Sequence, residues 1–170
     1  MEIVQATPAD VPSLNKLVNS AYRGETSRKG WTTEADLLDG TRTDESAIHE
    51  FFNEPGATIL KASANGKIIG CVRLVKHESK LYLGMFAVDP DVQSQGVGKK
   101  ILLAAEEHAL KQNCRTIYMT VISVRTELIA WYNRNGYMQT GDKVPMKIDN
   151  LSGGIPKTDL YFITLEKKLN

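Results

Sequence analysis

The period of the apolar positions changes along the chain, and the changes divide it into elements. "EIVQA", residues 2–6, reads as a short first strand. Val11, Leu14, Val18 and Ala21 then recur at helical spacing and form one apolar stripe. Thr7-Pro8-Ala9-Asp10 supplies the start signal: Thr7 suits the cap, Pro8 the first helical position, and Asp10 the positive end of the helix dipole. A polar, glycine-punctuated stretch follows, "RGETSRKGWTTEADLLDGTRTDES". A second helix is predicted over Glu45 to Asn53, with Ile48, Phe51 and Phe52 inward.

At Glu54-Pro55-Gly56 the pattern turns to strands. "ATILKASA" and "KIIGCVRLV" flank Asn65-Gly66, whose residues supply the positive φ angles of a two-residue hairpin turn. "HESK" turns into a third strand, "LYLGMFAV", which Asp89-Pro90 ends. A helix from Gly98 to Gln112 puts Ile101, Leu102, Ala105 and Ala109 on one face. "RTIYMTVI" is a strand, and Arg125 to Asn135 a short helix with Gly136 at its C-cap. "YMQTG" and "TDLYFITLEKKL" are closing strands, joined by a long loop from Asp142 to Lys157. The order is β-α-α-β-β-β-α-β-α-β-β. Hairpins pair antiparallel, whereas strand–helix–strand units favour a parallel pair with a right-handed crossover. The expectation is an α/β domain over residues 1–170: a mixed, mostly antiparallel sheet flanked by helices, not a doubly wound one.

Composition narrows the partners. With 42% hydrophobic and 24% charged residues and a net charge of +1, the chain offers no electrostatic case for nucleic acid or an anionic membrane. Cys71 and Cys114 lie far apart, without C-x-x-C or metal spacing, and read as reduced thiols of a cytoplasmic protein. "MEIVQATPAD" has the features of neither a signal peptide nor an anchor, and no run of about 18 apolar residues exists to span a bilayer. His49, His77 and His108 are scattered and read as surface residues, and no metal site is expected.

The chemistry concentrates at Gln93-Ser94-Gln95-Gly96-Val97-Gly98, where a strand passes into a helix. A helix entrance has unpaired N–H groups and the positive dipole end, and glycines at 96 and 98 remove the β-carbons that would hold a phosphate off. The stretch therefore reads as a pyrophosphate cradle, or as a turn that needs glycine for geometry alone. A Walker loop is excluded because Lys99 is followed by Lys100; a dinucleotide fingerprint wants a third glycine where Ile101 stands.

Taken together, Gln93-x-x-Gly96-x-Gly98, the preceding "FAVDPD" and the amphipathic helix behind it resemble motif A of the GCN5-related N-acetyltransferase (GNAT) superfamily. "VRTELIAWYNRNGYMQTG" is similar to its motif B, and the element order agrees from Glu2 to Leu169. The resemblance implies a GNAT acyl-CoA N-acyltransferase fold and acetyl-CoA as cosubstrate. It implies backbone contacts to pantetheine and the acetyl carbonyl at Phe86, Ala87 and Val88. Gln93, Ser94, Gln95, Gly96, Val97, Gly98 and Lys99 then fall on the pyrophosphate loop, and Tyr132 on the proposed general acid. A tyrosine suits that role, because its reference pKa of about 10 keeps it protonated at neutral pH, close enough to a thiol's roughly 8.5 to donate.

Some family members carry a glutamate base where this chain has Tyr82 and Thr120. A water chain, Glu127 or Glu34 are the substitutes, or the amine arrives neutral. The resemblance puts the acceptor, a small-molecule or peptide amine, beside Trp31, Glu34, Asp36, Arg42 and the loop from Asp142 to Lys157. An aromatic beside acids suits an ammonium group. Arg125 either pairs with a substrate carboxylate or caps its own helix through Glu127. The alternatives to an acetyltransferase are a non-catalytic CoA-binding module and a transferase of longer acyl groups. Many members of the family are homodimers; no residue pattern here demands one.

Overall fold

A computed structural model describes residues 1–146 and 155–170. Its strands are β1 (Glu2–Gln5), β2 (Leu38–Asp39), β3 (Ala57–Ala64), β4 (Lys67–His77), β5 (Lys80–Val88), β6 (Thr116–Ile122), β7 (Met138–Pro145), β8 (Ile155–Pro156) and β9 (Tyr161–Lys168). Its helices are α1 (Val11–Tyr22), α2 (Gly24–Ser27), α3 (Glu45–Asn53), α4 (Val97–Lys111) and α5 (Thr126–Arg134). Seven strands form one sheet in the order β1-β3-β4-β5-β6-β9-β7, and β2 pairs with β8 in a small second sheet. Among the described residues only β5 and β6 run parallel, joined through α4; the other pairs are antiparallel. The mixed sheet read from the sequence is thus the architecture of the chain.

Local chemistry explains most boundaries. Asn65 and Gly66 take φ of 51° and 73°, the left-handed pair that closes the β3–β4 hairpin. Asp44 caps α3 by accepting the Ala47 N–H at 2.8 Å. Pro8–Asp10 forms a 3-10 turn that leads into α1, and the Asp10 carboxylate accepts the Thr7 N–H at 2.8 Å.

Two apolar layers enclose the sheet. On one face Ile101, Leu102, Ala105 and Ala109 of α4 and Leu128, Ile129 and Tyr132 of α5 pack against Leu74, Leu81 and Ile117. On the other, Leu14, Val18 and Ala21 of α1 and Ile48 of α3 pack against Ile59, Cys71, Met85 and Ala87. Each fully buried Leu or Ile contributes about 1.5–3 kcal/mol. A β-carbon at Gly70 would lie 2.4 Å from the Ile101 side chain, so β4 needs glycine for α4 to seat.

Two features of β5 prepare the cleft. Its pairing with β6 covers only Lys80–Tyr82 against Thr116–Tyr118, although β5 continues to Val88 and β6 to Ile122. The strands separate beyond that point and leave backbone groups facing the gap. The second feature is a bulge. Between the pairs Gly84–Arg73 and Ala87–Cys71, β5 has two residues opposite one on β4, and Met85 takes φ of 44°. The bulge inverts the alternation: Leu81 and Leu83 face the α4 layer, whereas Met85 and Ala87 face the α1 layer. Phe86 and Val88 are thereby turned to the side of α4 and α5.

The polar stretch after α1 is not a plain solvated connector. It contains α2 and β2 and buries Arg23, Ser27, Glu34 and Thr43. The loop expected from Asp142 to Lys157 is also corrected: β7 runs on to Pro145, and Ile155–Pro156 pairs with Leu38–Asp39, while residues 147–154 lie outside the described residues. The backbone ladder with β9, through Lys143–Ile163 and Val144–Phe162, extends the strand past Gly141.

Candidate active site

The glycine turn sits where β5 hands the chain to α4. Asp89 starts it, accepting the Asp91 N–H at 3.0 Å and the Lys67 ammonium at 2.5 Å. Ser94 and Gly96 take φ of 66° and 80°, and α4 begins at Val97. The first N–H groups of a helix have no acceptor within it and carry the positive end of its dipole. A β-carbon at Gly96 would meet no heavy atom within 4 Å, so the space over those N–H groups is open. At Gly98 it would touch the Trp131, Phe86 and Val88 side chains at 3.6–3.7 Å, so a larger residue there would fill the adjoining cavity. An anionic group can therefore approach this backbone closely, as a pyrophosphate requires. Lys99 borders the cavity, Val97 is buried in the core, and Gln95 lies exposed, donating to the Asp91 carbonyl at 3.5 Å.

Gln93 borders the same cavity and ties the turn to a distant segment. Its amide donates to the Thr32 hydroxyl at 2.8 Å and the Val88 carbonyl at 3.1 Å, and accepts the Trp31 N–H at 2.9 Å. A side chain on Gly30 would overlap it, with a β-carbon 2.3 Å from the amide oxygen. Gln93 thus fastens the Gly30–Thr32 segment to the end of β5, while it also lines that cavity.

Two cavities meet across the gap between β5 and β6. The first, of about 590 Å³, extends from Ser94, Gly96, Gly98 and Lys99 along Phe86 and Val88 to Trp131 and Tyr132. The second, of about 370 Å³, is bordered by Arg23, Glu34, Arg42, Arg125, Met85 and Met119. Tyr22, Phe86, Leu128 and Tyr132 belong to both linings. Trp31, grouped by sequence with the acceptor residues, borders the first cavity, 6.3 Å from the Trp131 ring. Ala87 is buried in the α1 layer.

Tyr132 projects from α5 into this junction, packed edge-on against Trp131 at 5.1 Å and Tyr137 at 5.9 Å. Burial pushes its phenol well above the ordinary tyrosine value, so it keeps its proton throughout the neutral range. Its hydroxyl makes no hydrogen bond to another described residue. Tyr22, at the end of α1, donates its hydroxyl to the Phe86 carbonyl, and burial pushes that phenol up to about 12. Sequence reasoning missed Tyr22. The signal was present, since Leu14, Val18 and Tyr22 recur at i+4 and place a hydroxyl at the end of the apolar stripe.

Glu34 lies between two guanidiniums, with Arg23 Nη2 at 2.9 Å on one oxygen and Arg125 Nη1 at 2.9 Å on the other. Arg125 also donates to the Thr32 carbonyl at 2.5 Å. Of the two readings open for Arg125, the contact with Glu127 is not the one formed; its partners here are Glu34 and Thr32. Asp36 is held at the surface by Arg28 at 2.8 Å. Glu34 is therefore committed to its arginines and does not stand beside Trp31 as an ammonium partner. Among the described residues no group of three or more His, Cys, Asp or Glu could hold a metal ion.

The chain thus presents a splayed strand pair, a bulged strand and a glycine turn at the mouth of a two-chambered cleft. The model of the acetyltransferase (GNAT) family matches residues 14–137, and the chain belongs to that family. It is 25% identical over 137 residues to the uncharacterized N-acetyltransferase YjgM of Escherichia coli, covering 77% of this chain and 78% of that one. It is 29% identical over 103 residues to YrkN of Bacillus subtilis, covering 59% of this chain and 54% of YrkN, so the match spans about half of that relative's length. Among solved structures, a ribosomal-protein-alanine N-acetyltransferase from Brucella melitensis superposes with a TM-score of 0.75 at 20% identity, covering 99% of this chain and 100% of that one. The yncA protein of Salmonella typhimurium, solved with its cofactor acetyl-CoA, superposes with a TM-score of 0.70 at 17% identity, covering 99% and 94%. No described helix is long and apolar enough to cross a membrane.

Proposed function

We propose that the protein transfers an acetyl group from acetyl-CoA to a primary amine, both substrates being bound at once. The carrying observation is the junction itself: two cavities on opposite sides of a shared wall, with Phe86 and Tyr132 in that wall. The larger cavity takes the donor. Backbone N–H groups at the start of α4 receive the pyrophosphate, and the edge of β5 that β6 leaves open, near Phe86 and Val88, receives the pantetheine arm as an added strand. The Phe86 and Val88 carbonyls each keep a second lone pair beside their bonds from Tyr22 and Gln93. Acetyl-CoA supplies an acyl thioester at the junction. The amine enters from the smaller cavity.

The amine nitrogen attacks the carbonyl carbon; the N–C bond forms and the C–S bond breaks. Tyr132 gives its proton to the departing sulfur, the amine's surplus proton leaves to water, and the tyrosinate regains a proton from water before the next turnover. Donation from a phenol with a raised pKa is uphill to a thiolate in water, whose thiol has a pKa of about 8.5. The same desolvation that raises the phenol raises the thiol at that spot, which narrows the gap. No general base is assigned among the described residues, since both oxygens of Glu34 are occupied and Glu127, exposed, borders the donor cavity and not the acceptor one. The acceptor therefore reacts from its neutral fraction, which favours an α-amine with a pKa near 8 over an isolated lysine near 10.4.

Equilibrium binding of acetyl-CoA, compared between the protein and Gly96→Val, tests the donor side. Acetyl-CoA-dependent CoA release over small amines, amino acids and short peptides tests the reaction. Binding with turnover on at least one acceptor class is expected; failure to bind acetyl-CoA would overturn the reading.

A further inference from the structure

The smaller cavity is cationic in a way the transfer chemistry does not require. Among the described residues its charged lining consists of Arg23, Arg42 and Arg125 with the one carboxylate of Glu34. Glu34 spends one oxygen on Arg23 and the other on Arg125. Arg42 has no carboxylate partner among the described residues, although it is half-buried and its guanidinium lies 6.0 Å from the centre of the Tyr22 ring. Its backbone is pinned: the Asn19 side-chain oxygen accepts the Arg42 N–H at 2.7 Å and the Thr43 N–H at 3.3 Å, and the Asn19 amide donates to the Thr43 carbonyl at 3.0 Å. A surplus guanidinium held on a fixed backbone at a low-dielectric wall attracts an anion far more strongly than one in open water.

We infer that Arg42 is the docking point for a carboxylate on the acceptor, so that the amine this protein acetylates belongs to an amino acid or peptide with a free carboxylate. The distances favour this class. Arg42 and Arg125 flank the Tyr22 ring at 6.0 and 5.6 Å, and the hydroxyl of the same ring meets the Phe86 carbonyl at the junction. The anion site and the reacting end are thus one phenol ring apart, which suits a carboxylate and an amine separated by a few bonds. Polyamines and aminoglycosides, which bring several positive charges, meet repulsion in the same cavity. This inference rests on the proposed amine transfer and adds the acceptor's chemical class to it.

The test uses paired acceptors: amino acids and dipeptides with free carboxyl termini against their C-terminal amides, and Asp and Glu peptides against the Asn and Gln forms. CoA release gives kcat/KM for each. The acids are expected to exceed their amides about tenfold or more, the difference lying mainly in KM, as one charge-assisted bidentate contact provides. In Arg42→Gln that ratio falls towards one, and Arg42→Lys recovers part of it; acetyl-CoA binding reports whether each variant is folded. Amides used as well as acids by the unaltered protein in every pair would overturn the inference while leaving the transferase reading intact. If no acceptor releases CoA, calorimetry of the same acids on the CoA-saturated protein decides it separately. Binding of acids over amides there supports the site, and equal or absent binding overturns it.

Discussion

The Tyr22 hydroxyl donates to the Phe86 carbonyl, tying the last turn of α1 to the bulged part of β5 at the junction of the two cavities. The bulge turns Phe86 towards the α4 side, and the tyrosine bond holds it there across the sheet. Tyr22→Phe leaves that carbonyl without its partner, at a cost of about 1–3 kcal/mol. The urea midpoint should fall at unchanged m-value, and kcat should fall with it as Phe86 loses its fixed position. A variant as stable and as active as the parent would show that the bulge holds itself.

Tyr132→Phe removes one hydroxyl from a packed aromatic cluster and keeps its ring contacts. A positioned proton donor is worth about a hundredfold to ten-thousandfold, so kcat should drop at least about tenfold while the acetyl-CoA Kd changes little. The pH profile adds a second check. Burial raises the phenol's pKa, and its neutral form is the donor, so the raised value widens the active range upwards. No loss of kcat from this group is expected below pH about 10. A descending limb near neutrality that disappears in Tyr132→Phe would contradict the assignment.

The two glycines of the turn separate into two tests. Gly96 has φ of 80°, so Gly96→Ala carries a strain of about 1–2 kcal/mol in stability. Gly98 has room for an ordinary β-carbon contact at 3.6 Å, so Gly98→Ala should melt close to the parent. Gly98→Leu extends into the larger cavity and should raise the acetyl-CoA Kd about tenfold or more, since a lost phosphate contact is charge-assisted. Unchanged affinity in Gly98→Leu would place the donor elsewhere.

Glu34 is buried between two guanidiniums, and removing one charge of such a set leaves the others uncompensated. Glu34→Gln should therefore destabilise the protein by about 3–5 kcal/mol, visible as a lowered Tm. A general-base role would instead show as a large loss of kcat with stability intact.

Much of this is legible in the sequence because local rules decide it. Asn65-Gly66 admits few turns, the stripe from Ile101 to Ala109 has one face, and Glu45 to Asn53 has both a cap and a stripe. The glycines at 96 and 98 mark an open backbone turn through their missing side chains. What escapes is set by long-range packing. "LYLGMFAV" alternates without interruption, and nothing in it shows that a bulge at Met85 inverts the faces. Gln93 reads as part of a phosphate loop, but its partners Trp31 and Thr32 are about 60 residues away in sequence. Glu34 and Arg125 are 91 residues apart, so the pairing that commits both cannot be read from either neighbourhood. Trp31 and Glu34, three positions apart, face different cavities.

The most direct measurement of the central claim follows both products of one reaction mixture: CoA by chromatography and the acceptor by mass spectrometry. One acetylated amine is expected for each CoA released, at a rate cut at least about tenfold in Tyr132→Phe. CoA released without an acetylated amine, or transfer undiminished in that variant, would contradict it.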